Sequence, residues 1–165
     1  MLRESFNTGW QTGAATNGLS GLFGGTGPAP KNVMLPYDSL QDVERTASAP
    51  GGAQAGFYPP VNLALSKKFD VPAEWADKLV MFEFEGVYTN SMVYINGDYA
   101  GGCLHGYSNF YVEANRFLRF GEPNELRVTV ATANDTRWYS GAGIYRNVKL
   151  LVSELCHIVP DSYRI

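Results

Sequence analysis

Polar and apolar positions alternate in short runs along most of this chain. From Asn124 to Ala131 the alternation is clean. Leu126, Val128 and Val130 fall on one side, Arg127 and Thr129 on the other, as in a strand with one buried face. Leu79–Glu85 shows it at its end, with Phe82 and Phe84 on one face and Glu83 and Glu85 on the other; the pattern predicts that both acids face water. Asn147–Ser153, Asn109–Glu113 and the stretch from Val61 to Pro72 read as further strands, and Asn32–Pro36 as a short one. Ser91–Ile95 and Asp98–Ala100 flank Asn96-Gly97, a pair that suits a type I′ hairpin because both central residues need positive φ. Pro72–Lys78 and Arg116–Phe120 predict single helical turns, the second closed by Gly121. Short strands about ten residues apart, with turn chemistry between them, predict an all-β sandwich or barrel. No helical pattern alternates with the strands, which argues against a parallel α/β fold.

At 165 residues the chain predicts a single domain, 1–165. Residues 1 to about 60 form a loop-rich N-terminal part and about 61–155 the sandwich core. Gln41–Pro60, with Pro50-Gly51-Gly52 and Pro59-Pro60, reads as a long surface loop. The net charge is −3, and Lys67-Lys68 is the only basic pair. That excludes the basic footprint of a nucleic-acid partner and disfavours an anionic membrane surface. No run approaches the roughly 20 apolar residues of a membrane span. Met1–Trp10 carries Arg3, Glu4 and Asn7 and no apolar core, so it is not a secretory signal. The expectation is a cytoplasmic protein, or a secreted one if a leader has been removed. Cys103 and Cys156 make no disulfide framework; a lone disulfide or two thiols are open, and thiols are the expectation. The glycines between Thr12 and Pro30 lack phosphate-loop spacing. No motif calls for a metal or another cofactor.

Glu83 and Glu85 invite comparison with the paired carboxylates of glycosidases, but two acids on the outer face of a strand are the plainer reading. His105 lies in the glycine-flanked stretch Gly101–Tyr107 and reads as an exposed loop residue; Cys103 two positions before it is a weak nucleophile signal. The segment Asn134–Arg146 is the most unusual. It sets Asn134, Asp135, Arg137, Trp138 and Tyr139 close together between two strands. Sugars offer hydroxyls to Arg, Asp and Asn, and C–H faces to Trp and Tyr. A crossover whose aromatics fill the core and whose Arg closes an ion pair fits the same residues.

Arg137-Trp-Tyr-Ser-Gly-Ala-Gly-Ile-Tyr-Arg146 resembles the end of the N-terminal sugar-binding domain of glycoside hydrolase family 2, the family of β-galactosidases, β-glucuronidases and β-mannosidases. Phe6–Trp10, Phe69–Trp75, Phe82–Ser91, Val93–Gly97 and Gly106–Phe110 resemble other segments of that domain in the same order. The resemblance covers nearly the whole chain and points most to the β-galactosidases. It implies an antiparallel jelly-roll β-sandwich of the galactose-binding-domain-like kind. It also implies that this chain is not catalytic. In the family an immunoglobulin-like domain follows, then a (β/α)8 barrel carrying both catalytic glutamates, so the parent hydrolyses glycosidic bonds while this part leans over the barrel mouth. The implied substrate contacts are Arg137, with Asn134, Asp135 and Tyr139 beside it, and Gln54 and Tyr58 from the loop before the first long strand. Where the family carries Leu-Pro-His-Asp-Trp, this chain has Leu35-Pro-Tyr-Asp-Ser39, a departure that weakens any role for that turn. Where the family has an aromatic-Tyr-Arg-Lys run, Leu63–Lys68 stands here. A freestanding carbohydrate-binding module is the alternative, and a purely structural domain a third reading.

Overall fold

The computed structural model describes residues 1–14, 30–132 and 141–162. They form two antiparallel sheets packed face to face. Ten strands follow the chain: β1 (Leu2–Ser5), β2 (Trp10–Ala14), β3 (Asn32–Val33), β4 (Asn62–Asp70), β5 (Leu79–Phe84), β6 (Ser91–Ile95), β7 (Asp98–Cys103), β8 (Phe110–Glu113), β9 (Pro123–Ala131) and β10 (Val148–Ser153). The small sheet has the order β1-β10-β5-β8, the large one β3-β2-β4-β9-β6-β7. This is the jelly-roll sandwich, and no α-helix occurs among the described residues.

The alternation seen in the sequence decides which side chains meet between the sheets. Leu126, Val128 and Val130 of β9 point inward with Leu63 and Leu65 of β4 and with Val93 and Ile95 of β6. Val80, Phe82 and Phe84 of β5 meet them from the small sheet, beside Val148, Leu150 and Val152 of β10. Phe6, Phe69 and Phe82 form an aromatic cluster with centroids 5.1–5.6 Å apart; Phe69 meets both other rings edge-on, a geometry that the ring quadrupoles favour. Asn96 and Gly97 have φ of 53° and 93°, as the hairpin chemistry requires. The turn after Pro72 is a short 3-10 turn, Ala73–Trp75, and residues 115–117 form a turn rather than a helix.

Two expectations change. Strands β1 and β2 come from the part read as loop-rich, the short strand expected at Asn32–Pro36 is present as β3, and Phe6, Trp10, Leu35, Tyr37 and Leu40 belong to the core. The sandwich core therefore also takes in residues before about 60. Strands β1 and β2 are short, four and five residues, too brief for a period of two to stand out. Glu83 was expected in water but is buried, its side chain 5% exposed. It faces outward from the small sheet, as the alternation requires, yet Met81 and Leu151 on the same face are also buried. Residues 158–161 lie against that face and enclose, with Met1, Arg3, Glu83, Tyr111 and Leu151, a cavity of about 220 Å³.

Candidate functional site

The register places four connections at one end of the sandwich. Asn62 at the start of β4 pairs with Ala131 at the end of β9, and Ser91 at the start of β6 with Cys103 at the end of β7. Phe84 at the end of β5 pairs with both Val148 and Phe110, the first residues of β10 and β8. The β3–β4, β5–β6, β7–β8 and β9–β10 connections therefore gather there.

Hydrogen bonds tie these connections to one another. Val61 N–H donates to Thr132 Oγ1 at 2.8 Å, and Thr132 N–H donates back to the Val61 carbonyl at 2.9 Å. Tyr88 and Gly143 exchange backbone bonds of 2.9 Å in each direction. Tyr37 N–H donates to Ile144 O and Ser39 N–H to Ala142 O, both at 2.8 Å. Gly141 and Gly143 hold φ of 98° and 152°, values that L side chains avoid. A Cβ on Gly143 would collide with the Tyr37 carbonyl. The close approach of these two backbone segments is the reason for the glycine.

Gln54 sits on the 3-10 turn Gly52–Ala55 and is exposed. Tyr58 is half-buried, with the Arg45 guanidinium 4.9 Å from its ring centre. Three residues after Tyr58, the loop is fastened to Thr132. Arg137, Asn134, Asp135 and Tyr139, with Trp138, lie outside the described residues, as do residues 15–29 of the glycine-rich run. What can be placed are the two flanks of 133–140. Thr132 is held at Val61, and the return at Gly141 is held at Asp38, whose Oδ1 accepts from Ala142 N–H at 2.9 Å. The structure thus joins Val61, three residues after Tyr58, to Thr132, the last described residue before that segment.

Further groups at this end escaped the sequence reading. Tyr88 and Tyr107 meet edge-on at 5.5 Å, and Tyr107 remains 61% exposed. His105, exposed as expected, lies edge-on to Tyr107 at 5.8 Å. Gly106 lies flat against the Tyr88 ring, where a Cβ would collide, and its carbonyl accepts from Tyr145 Oη at 2.8 Å. The glycine between His105 and Tyr107 was the available sign of a tight packing point. Below the Asp38 turn, Asp42 accepts from Lys31 Nζ at 2.5 Å and Tyr37 Oη at 2.6 Å. Lys31, and then Tyr37, hold the Asp42 carboxyl below its usual range. Burial, then the bond to Asp42, pushes the Tyr37 hydroxyl well above its ordinary value.

Glu83 and Glu85 stand elsewhere, on the outer face of the small sheet. Arg3 Nη2 donates to both Glu83 oxygens at 2.7 and 2.5 Å, and Tyr111 Oη donates to Glu83 at 3.3 Å. Lys149 Nζ pairs with Glu85, which also accepts from Asn147 Nδ2 at 2.7 Å. Each acid is engaged by its own cation and held in place, which is the geometry of a fastened sheet face. Cys103 and Cys156 are both free thiols, as expected. Among the described residues no group of three or more His, Cys, Asp or Glu side chains could hold a metal ion.

A jelly-roll sandwich that gathers its cross-connections at one rim is a loop-presenting domain, rigid in the sheets and variable at the loops. Known proteins give this class a family. No protein-family model matches the sequence. The β-galactosidase BoGH2A of Bacteroides ovatus is 35% identical over 159 residues, 94% of this chain and 19% of that enzyme. The crystal structure of a β-glycosidase from Bacteroides vulgatus superposes with a TM-score of 0.78 at 31% identity, covering 93% of this chain and 20% of that one. A glycosyl hydrolase family 2 member from Bacteroides cellulosilyticus shares the fold, with a TM-score of 0.76 at 24% identity over 93% of this chain and 21% of its own. The chain belongs to glycoside hydrolase family 2 and corresponds to the N-terminal β-sandwich domain of its enzymes. It spans about a fifth of the length of these relatives.

Proposed function

We propose that this domain completes the substrate pocket of a family 2 glycosidase of β-galactosidase type without supplying the reacting acids. The partners in this reading are an immunoglobulin-like domain and a (β/α)8 barrel of the parent enzyme, the barrel carrying the catalytic glutamates. A β-glycoside is the substrate. Arg137 is the principal contact, with Asn134, Asp135 and Tyr139 beside it and Gln54 and Tyr58 on the facing loop.

One observation supports this reading above the others. The reciprocal Val61–Thr132 bonds join a residue three positions after Tyr58 to the last described residue before 133–140. The described flanks of both stretches thus lie at one rim of a rigid sandwich, where loops can be presented to a second domain. The engagement of Glu83 by Arg3 and of Glu85 by Lys149 agrees with a domain that leaves the acid chemistry to the barrel.

The test is Arg137→Ala in the full-length enzyme. A guanidinium has five donors and no acceptor, and a hydrogen bond from it to a sugar hydroxyl is worth about 1.5–3 kcal/mol. Loss of that bond lowers kcat/KM on an aryl β-galactoside by about ten- to a hundredfold, with the melting temperature unchanged. A lowered melting temperature with normal kcat/KM in the folded fraction assigns Arg137 a structural role and defeats the reading.

A further inference from the structure

We propose that the stretch after β10, residues 154–161, is the seat on which the next domain of the parent enzyme packs. This rests on the reading that such a domain follows, and not on the pocket contacts named with it.

Strand β10 runs away from the rim. Val148, its first residue, pairs with Phe84 at the rim, and Ser153, its last, pairs with Leu79 at the far end. The chain then turns back. At the far end Lys78, the residue before β5, donates through Nζ to both Glu154 oxygens at 2.8 and 2.9 Å. At the rim end Asp161 Oδ2 accepts from Tyr111 Oη at 2.7 Å and from Asn109 Nδ2 at 3.1 Å. Asn109 directly precedes β8, whose first residue, Phe110, pairs with Phe84. Residues 154–161 are therefore a strap clasped at both ends over the outer face of the small sheet. It returns the chain to the end where the loops gather.

Between the clasps, Leu155–Pro160 contains no Asp, Glu, Lys or Arg. Leu155, Ile158 and Val159 are 72%, 77% and 57% exposed. Met1, exposed as well, lines the cavity under the strap together with Ile158 and Val159. These are four of the eleven large apolar side chains that stand exposed among the described residues. One exposed leucine is ordinary, but several on one charge-free segment mark an interaction surface, and loss of charge is what sets the core of an interface apart.

Family membership names the occupant. The chain corresponds to the N-terminal domain of enzymes of which it spans about a fifth, so the rest of the parent leaves the sandwich from the end of this strap. A domain tethered there is held at high effective concentration. A few apolar contacts suffice to seat it, whereas a free partner must first repay its lost translational and rotational freedom. The Asp161 clasp fixes that exit beside the rim.

Cys156, an exposed free thiol on the strap, supplies the probe. Its alkylation by N-ethylmaleimide, read by peptide mass spectrometry, is compared in the 165-residue chain and in the full-length enzyme. The expected result is a reaction at least about tenfold slower in the full-length enzyme. Ile158→Asp with Val159→Asp should speed it there by about tenfold or more, as the loss of two buried apolar side chains requires. In the 165-residue chain the same pair should leave the melting temperature within about 2 °C of the parent. If melting falls further, Leu155→Asp, whose position does not line the cavity, takes its place with the same gain expected. Equal rates in the two proteins, or protection that neither variant relieves, overturn the proposal. So does protection of the 165-residue chain that grows with its concentration, which makes a second copy the occupant. The kcat/KM of Arg137→Ala is read separately: impaired with Cys156 unprotected, it keeps the pocket reading and fells the docking; normal with Cys156 protected, it does the reverse.

Discussion

Replacing Arg3 with alanine removes the ionic partner of a buried carboxylate. Glu83 is 5% exposed at its side chain, Arg3 is 52% exposed, and both Glu83 oxygens accept from the same guanidinium nitrogen. Without Arg3, Glu83 keeps only the Tyr111 hydroxyl, at 3.3 Å and shared with Asp161 at 2.7 Å. Breaking a fully buried ion pair by deleting one partner costs about 3–5 kcal/mol. Arg3 is half in solvent, and water entering the vacated space restores part of the lost solvation, so about 2 kcal/mol is expected. For a domain of this length that lowers the melting temperature by about 4–8 °C. Glu83→Met introduced into the Arg3→Ala background should return at least half of the loss, because the side chains around it on that face, Met81 and Leu151, are buried and apolar and an apolar group of similar volume needs no partner. Circular dichroism melts of the single and double variants supply the comparison. A shift of less than about 1 °C for Arg3→Ala, or a double variant less stable than Arg3→Ala alone, would refute the claim that the buried carboxylate is the cause.

Two other substitutions test the frame that holds the rim. Gly143→Ala should cost on the order of 3 kcal/mol or abolish soluble expression, since its Cβ overlaps the Tyr37 carbonyl and its φ is 152°; Gly13→Ala, in open space on β2, is the neutral control, and a Gly143→Ala urea midpoint close to that of the control contradicts the packing account. Lys149, then Asn147, lowers the Glu85 carboxyl below its usual range, so this pair stabilises the fold above that range and the contribution disappears as pH falls through the lowered value. Lys149→Met should therefore lose about 1 kcal/mol at neutral pH, with the gap to the parent closing in acid; a gap that widens below pH 4, measured by urea titration at several pH values, reverses the sign of that assignment.

Much of this protein could be read from local order along the chain. Strands β4, β5, β6, β8, β9 and β10 stand where alternation and turn residues put them, because side-chain period and φ preference are properties of a few consecutive residues. The ordered motifs from Phe6 to Arg146 likewise carried the family, which the relatives then supported. The short strands β1 and β2 gave no periodic signal, and their place comes from pairing with β10 and β4. Tertiary structure alone decided the fate of Glu83. Alternation correctly put it on the outer face, but burial there depends on Arg3, 80 residues away, and on residues 158–161 folding over the sheet. It also decided Asp38, whose two backbone donors are 2 and 104 residues distant. A side chain's facing follows from its neighbours in sequence. What covers it, and which distant donor reaches it, follows from sheet order and register, and those are set by contacts between segments that no local pattern records.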